Sequence, residues 1–359
     1  MRIAQIASSE VTVPPRNKNG LEFIVSWLTE ELVQRGHSVT LFASADSKTT
    51  ATLKPLFQAA TGDDTKRYWG DSEEVLMRAL WNFSYAASQA GEFDILHSHF
   101  TTIPPLFAPF VRTPVVTTLH EPFRPHSHLD YFTNQAHPRF LQEQYQKIAF
   151  ATVSERQGKL FGQSESFKRT RTIYNGIPVS QFVFSPRSED YLLFLGYLNK
   201  DKGADTAVTV ARTLGKRLIL AGNADTAGEF FQTHIAPFLD DRIQYVGPVG
   251  FDEKVQLYGS AEALLAPLTW EEPFGLTLIE SQACGTPVIA FSKGAAPELI
   301  RNGETGFVVE SLEAVIAAVE KISSINRSDC REWVEKEFTV ARMADRYEEY
   351  YKDIIAGAI

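Results

Sequence analysis

Two carboxylates and a helix start carry the most specific chemistry in this sequence. In Trp270-Glu271-Glu272-Pro273-Phe274-Gly275-Leu276-Thr277-Leu278-Ile279-Glu280, a strand-like run (263–266) stops at Pro267 and a loop carries two glutamates. Pro273 and Gly275 then open a helix expected to run from 274 to 284. The first-turn amides of Gly275, Leu276 and Thr277 have no acceptor within a helix, which suits them to a phosphate. Carboxylates beside phosphate-binding amides make sense when they accept from hydroxyls, and a sugar and a ribose supply such hydroxyls. Glu271 is read as an acidic residue favoured by the helix dipole. Glu272, just ahead of the helix, and Glu280, beyond its first turn, are read as ligand-facing.

The histidines form the second group. His97 and His99 stand two apart at a strand end and share a face; His126 and His128 repeat the spacing. Such a pair suits a metal, but no thiolate or evident carboxylate completes the set, so zinc is not expected. His97 is read as packed beneath a cleft, and His99, with Arg124 and His126, as acceptor-side. His120 ends another strand ahead of Glu121-Pro122.

Other chemistries lose their support. No two glycines are spaced as G-x-G, as a dinucleotide turn requires. The Gly-Lys pairs at 158–159 and 215–216 lack the rest of a phosphate-binding P-loop. No Asp-x-Asp motif occurs; the adjacent aspartates are Asp63-Asp64 and Asp240-Asp241, both in expected surface loops. Cys284 and Cys330 are too few for a disulfide scaffold.

These residues need a scaffold of two domains, which 359 residues allow. At 44% hydrophobic and 22% charged, the chain is neither disordered, collagen-like nor coiled coil. Short apolar runs alternate with longer helical ones, the pattern of βαβ units on a parallel sheet. Strands are expected at 3–7, 38–43, 94–97, 114–119, 149–153 and 171–174, with helices at 21–36 and 73–90. Asn175-Gly176-Ile177-Pro178 breaks the pattern, which restarts with strands at 191–195, 217–221, 243–246, 263–266 and 287–290 and a helix at 203–214. The expected domains are 1–178 and 179–338, followed by an amphipathic helix over 339–359 rich in tyrosine. Charge divides likewise: 18 basic against 17 acidic residues in 1–180, but 17 against 27 in 181–359. An acidic chain without basic runs argues against a nucleic-acid partner. The start, MRIAQIA, does not read as a secretory leader, and no apolar run is long enough to span a membrane, so a cytoplasmic location is expected.

The segment 270–290 resembles the E-x7-E motif of retaining glycosyltransferases of family 4, which have the GT-B fold. The likeness continues in Arg35-Gly36-His37-Ser38-Val39, Asp94-Ile95-Leu96-His97-Ser98-His99, Val115-Val116-Thr117-Thr118-Leu119-His120 and Tyr174-Asn175-Gly176-Ile177, and covers essentially the whole chain. The resemblance implies an α/β protein of two doubly wound Rossmann-like domains facing a central cleft: an N-terminal acceptor domain, a C-terminal nucleotide-sugar domain, and a last helix that crosses back to the first. It implies metal-independent, retaining transfer of a hexosyl group from a UDP- or GDP-sugar, with UDP-glucose favoured, to a hydroxyl of a carbohydrate, lipid-linked glycan or small molecule, without a cofactor. By the same likeness Glu272 meets sugar hydroxyls, Glu280 the ribose, Lys202 the diphosphate, and His120 the donor sugar. Phe274, Gly275, Leu276 and Thr277 line the donor site, and Gly20 lies in the first loop. Two positions depart from the pattern. Tyr197 stands where arginine is usual, and Asn19 replaces the first glycine of a Gly-Gly-x-Glu turn that here reads Asn19-Gly20-Leu21-Glu22. Two rival readings are a nucleotide-sugar epimerase of the same superfamily and a binding protein without turnover.

Overall fold

The structure, a computed structural model, describes residues 1–16, 20–62, 72–122, 139–162 and 167–358. The chain forms two compact units: Met1–Gly176 with Val340–Ile359, and Ile177–Thr339.

The first unit is built on a seven-stranded sheet of β1 (Arg2–Ile6), β2 (Ser38–Phe42), β3 (Thr52–Leu53), β4 (Ile95–Ser98), β5 (Val115–Leu119), β6 (Ala149–Thr152) and β7 (Thr170–Thr172), in the order β3-β2-β1-β4-β5-β6-β7. Every pairing in it is parallel. A parallel sheet is covered on both faces, which is why β4, β5 and β6 are buried at every position. Ile6, Phe42, Phe83, Leu96, Leu119 and Phe150 share one core cluster. Helix Ser72–Ser88 contributes Ala79, Phe83 and Ala86 to it. Leu76 and Trp81 of the same helix are about half exposed.

The second unit carries a six-stranded parallel sheet: β8 (Leu192–Leu195), β9 (Leu218–Ala221), β10 (Ile243–Gly247), β11 (Ala263–Ala266), β12 (Val288–Phe291) and β13 (Gly306–Val309), in the order β10-β9-β8-β11-β12-β13. Its core joins Leu192, Leu220, Leu265 and Ile289 to Val208 and Ala211 of helix Ala204–Leu214. In each sheet the winding reverses once, between β1 and β4 and between β8 and β11. Loops leaving the carboxyl ends of such strands diverge and leave a crevice, the usual ligand position in open α/β sheets. His99 and Pro267 follow directly from β4 and β11 in this way, and Lys202 lies in the loop after β8.

Helix Val340–Ile355 belongs to the first unit and buries Met343, Tyr347, Tyr350, Tyr351 and Ile354. The Arg35-Gly36-His37 segment ties it down. Arg35 Nη1 meets Asp345 Oδ1 at 2.7 Å, and His37 Nε2 meets Glu348 Oε1 at 2.7 Å. Among the described residues, no helix is long and apolar enough to cross a membrane.

Candidate active site

In the second unit, two loops are locked by glycines that leave no room for a side chain. Gly203 has φ +77°, and a Cβ there would lie 2.1 Å from the carbonyl oxygen of Pro267. The loop after β8 is thereby pressed onto the end of β11, and Lys202 is held beside the acidic loop. Gly294 has φ +52°, and a Cβ would lie 2.2 Å from the carbonyl oxygen of Glu272. Backbone bonds complete this second clamp: Ala295 N–H donates to Glu272 O at 3.0 Å.

The clamps bring Lys202 and Glu272 into contact. Lys202 Nζ donates to Glu272 Oε2 and lies 4.5 Å from the centre of the Trp270 ring. Sequence alone treats these residues separately; the structure makes them an ion pair. Glu271 departs from expectation: its Oε2 accepts from Gly294 N–H at 3.2 Å, so it braces the loop.

Helix Leu276–Ala283 begins at Gly275, which has φ 94°. Leu276 and Thr277 form its first turn, whose amides face out of the helix. The Phe274 ring is buried and packs edge-on against Phe338, centroids 6.1 Å apart, so its side chain belongs to the core. Glu280 is buried on this helix and doubly held. Its Oε1 pairs with Lys254 Nζ at 2.7 Å, and its Oε2 accepts from Tyr258 Oη at 3.1 Å. Burial first, then the Glu280 charge, pushes the Tyr258 phenol well above its ordinary value. Lys254 and Tyr258 escape sequence reading, although their i, i+4 spacing puts them on one face of helix Phe251–Ser260. Tyr197 is 47% exposed, and Lys200 is exposed beside it.

In the first unit, Gly20 is the exposed first residue of helix Gly20–Gln34, and Glu22 is buried two positions on. Asn19, Arg124, His126 and His128 lie outside the described residues. His97, His99 and His120 come together. Register pairs Gln5 of β1 with His97 of β4, so their side chains are neighbours on one face. His97 Nδ1 lies 2.6 Å from Tyr351 Oη, and His97 Nε2 lies 2.7 Å from Thr118 Oγ1. His99 Nε2 lies 2.9 Å from Gln5 Oε1, and His99 Nδ1 lies 3.0 Å from His120 Nε2. His99 is buried with both ring nitrogens taken, so it stands behind His120 and has nothing left for an acceptor. Burial, helped by the neighbouring His120, pushes His97 down to about 3; burial likewise lowers His99 and His120. Among the described residues, no three His, Cys, Asp or Glu side chains are grouped to hold a metal.

The second unit offers a cation and helix-start amides near two carboxylates; the first holds a cluster of imidazoles whose pKa values burial lowers. Comparison with known proteins fits this inventory. A family model for group 1 glycosyl transferases matches residues 180–338, and one for glycosyltransferase family 4 matches residues 18–181. D-inositol 3-phosphate glycosyltransferase of Streptomyces scabiei (strain 87.22) is 25% identical over 338 residues, 81% of this chain and 75% of that relative. Sucrose-phosphate synthase from Thermosynechococcus elongatus superposes with a TM-score of 0.78 at 18% identity, covering 99% of each chain. HepE of Anabaena, solved in complex with UDP and glucose, superposes with a TM-score of 0.71 at 17% identity, covering 98% of this chain and 100% of that one. The two family models meet at residues 180–181 and together account for residues 18–338, so the chain belongs to the family 4 glycosyltransferases, with their GT-B architecture of two Rossmann-like domains.

Proposed function

We infer that the protein is a retaining, metal-independent hexosyltransferase that uses a nucleoside-diphosphate sugar, of UDP-glucose type, and a hydroxyl acceptor. The second unit holds the donor and the first unit serves the acceptor. The observation that carries this reading is the Lys202–Glu272 pair beside the first-turn amides of helix Leu276–Ala283. A diphosphate arriving there gains a cation and a helix start, and Lys202, released from Glu272, stabilises the negative charge that grows on the departing phosphate. Glu272 is then free to accept from sugar hydroxyls. Glu280, fixed by Lys254 and Tyr258, keeps acceptor lone pairs for a ribose. A lysine and backbone amides supply the positive charge that a divalent ion supplies elsewhere, which supports the metal-independent reading. Attack on the same face as the leaving phosphate accounts for retention. The complex of HepE with UDP and glucose supports a uridine donor, and the D-inositol 3-phosphate glycosyltransferase supports a small hydroxylated acceptor.

A donor screen reading nucleoside diphosphate release, with acceptor pools added and with or without EDTA, tests this. Release from UDP-glucose that needs an acceptor and survives EDTA is expected. The anomeric proton coupling of the product reports retention. Release only with manganese or magnesium overturns metal independence, and a product of opposite anomeric configuration to the donor overturns retention.

A further inference from the structure

Behind His120, the first unit contains a buried chain of polar side chains that the transfer chemistry does not use. It runs from His120 through His99, Gln5, Tyr351, His97 and Thr118 to Tyr347, and all but His120 are buried. An imidazole, a phenol or a threonine hydroxyl can carry a hydrogen bond in either direction. A primary amide cannot, because its oxygen only accepts and its nitrogen only donates. Gln5 is the one amide side chain in the series, so its orientation orders the imidazoles on either side of it.

Gln5 Oε1 faces His99 Nε2 at 2.9 Å, so His99 carries its proton on Nε2. His99 Nδ1 must then accept, and its partner at 3.0 Å is His120 Nε2, which therefore donates. On the other side, Gln5 Nε2 donates to Tyr351 Oη at 3.3 Å. Tyr351 donates to His97 Nδ1 at 2.6 Å, and His97 Nε2–H donates to Thr118 Oγ1 at 2.7 Å. Reversing the link between His99 and His120 means turning the amide and moving the protons of both imidazoles, whereas the Thr118–Tyr347 hydroxyl pair can run either way. Burial adds to the effect by keeping the imidazoles neutral.

We propose that Gln5 is a positioning residue: its buried amide holds the proton of His120 on Nε2 and leaves Nδ1 as a hydrogen-bond acceptor for a substrate hydroxyl. The second half of this proposal rests on the reading of His120 as the imidazole that meets the sugar. The direction of the chain does not depend on that reading.

Long-range proton–nitrogen spectra of the full chain labelled with 15N-histidine read the tautomer directly, with His120 assigned by loss of its signals in His120→Gln. Near neutral pH, His120 is expected as the neutral Nε2–H form. An Nδ1–H form or an imidazolium overturns the proposal. Gln5→Met, which keeps length but removes the amide, is expected to populate both His120 tautomers and to lower kcat/KM about three- to tenfold, the effect of one neutral hydrogen bond. His120 remaining wholly Nε2–H in Gln5→Met overturns the positioning role. Should that variant fail to fold, Tyr351→Phe decides. It removes the phenol but leaves Gln5 between His99 and His97, where Gln5 Nε2 lies 3.3 Å from His97 Nδ1. Shifted His97 signals with an unchanged His120 tautomer are expected, and a changed His120 tautomer overturns the proposal. These spectra need no sugar donor, so they stand if no donor is turned over. Wild-type activity in His120→Ala overturns only the reading of His120.

Discussion

Lys202 Nζ pairs directly with Glu272 Oε2, so the cation assigned to the diphosphate is engaged by the carboxylate assigned to the sugar. An incoming diphosphate competes with Glu272 for that ammonium. Glu272→Gln is therefore expected to retain or tighten nucleoside diphosphate binding while lowering transfer. Lys202→Met should weaken binding by about 1.5–3 kcal/mol, the range for a hydrogen bond to a charged group. Calorimetric titration with UDP checks both. Equal weakening in the two variants would mean that the pair binds the nucleotide as one unit.

Glu280 depends on Lys254 in a different way. The pair is largely buried, and removing one partner of a buried pair leaves an uncompensated charge, at a cost of about 3–5 kcal/mol. Lys254→Met should lower the melting temperature and weaken nucleotide binding, although Lys254 carries no assigned ligand contact. Adding Glu280→Gln to Lys254→Met should recover part of the stability and none of the binding. Thermal unfolding and titration of the single and double variants separate the two effects.

The buried imidazoles set a pH dependence of stability. His97 is held near 3 in the folded protein, against about 6.5 unfolded. Below about pH 6.5 the unfolded chain binds a proton that the folded one refuses, so stability is present above that pH and is lost as pH falls towards 3. Each such histidine contributes a slope of up to about 1.4 kcal/mol per pH unit, and His99 and His120 act in the same sense. Denaturant midpoints should fall steeply between pH 6.5 and 5, and more shallowly in His97→Gln. A flat wild-type profile over that interval would contradict the burial of these rings.

Tyr197 occupies an exposed position in the loop after β8. Tyr197→Arg is expected to tighten UDP binding about tenfold if the guanidinium reaches the phosphates, because a charge-assisted fork is stronger than a phenol contact. Turnover need not rise, since tighter product slows release. Unchanged affinity would show that residue 197 does not face the diphosphate.

Much of the candidate site in the second unit is legible in the sequence because its geometry is local. Proline and glycine punctuate 267–275, and the helix after them follows from its own residues. The same holds for the strand runs, although helix Leu276–Ala283 starts later than its sequence suggests and β3 and β13 lie outside the expected strands. What remains hidden is tertiary. Lys254 reaches Glu280 from another helix, Gly294 clamps Glu272 from the loop after β12, and Tyr351 reaches Gln5 from the far end of the chain. Chain order likewise cannot show that the Phe274 ring meets Phe338. His99 reads as acceptor-side in sequence because a strand end does not reveal that Gln5 and His120 meet both of its nitrogens.

The two cysteines have a practical consequence. Cys284 and Cys330 are fully buried, and burial pushes both thiols up to about 12. The nucleophile in maleimide coupling is the thiolate, which neither residue presents to reagent at neutral pH. The unmodified chain is thus already a background for single-site dye attachment. A cysteine introduced at the exposed Tyr197 would carry a fluorophore on the loop after β8, where its emission would report nucleotide arrival at the proposed donor site.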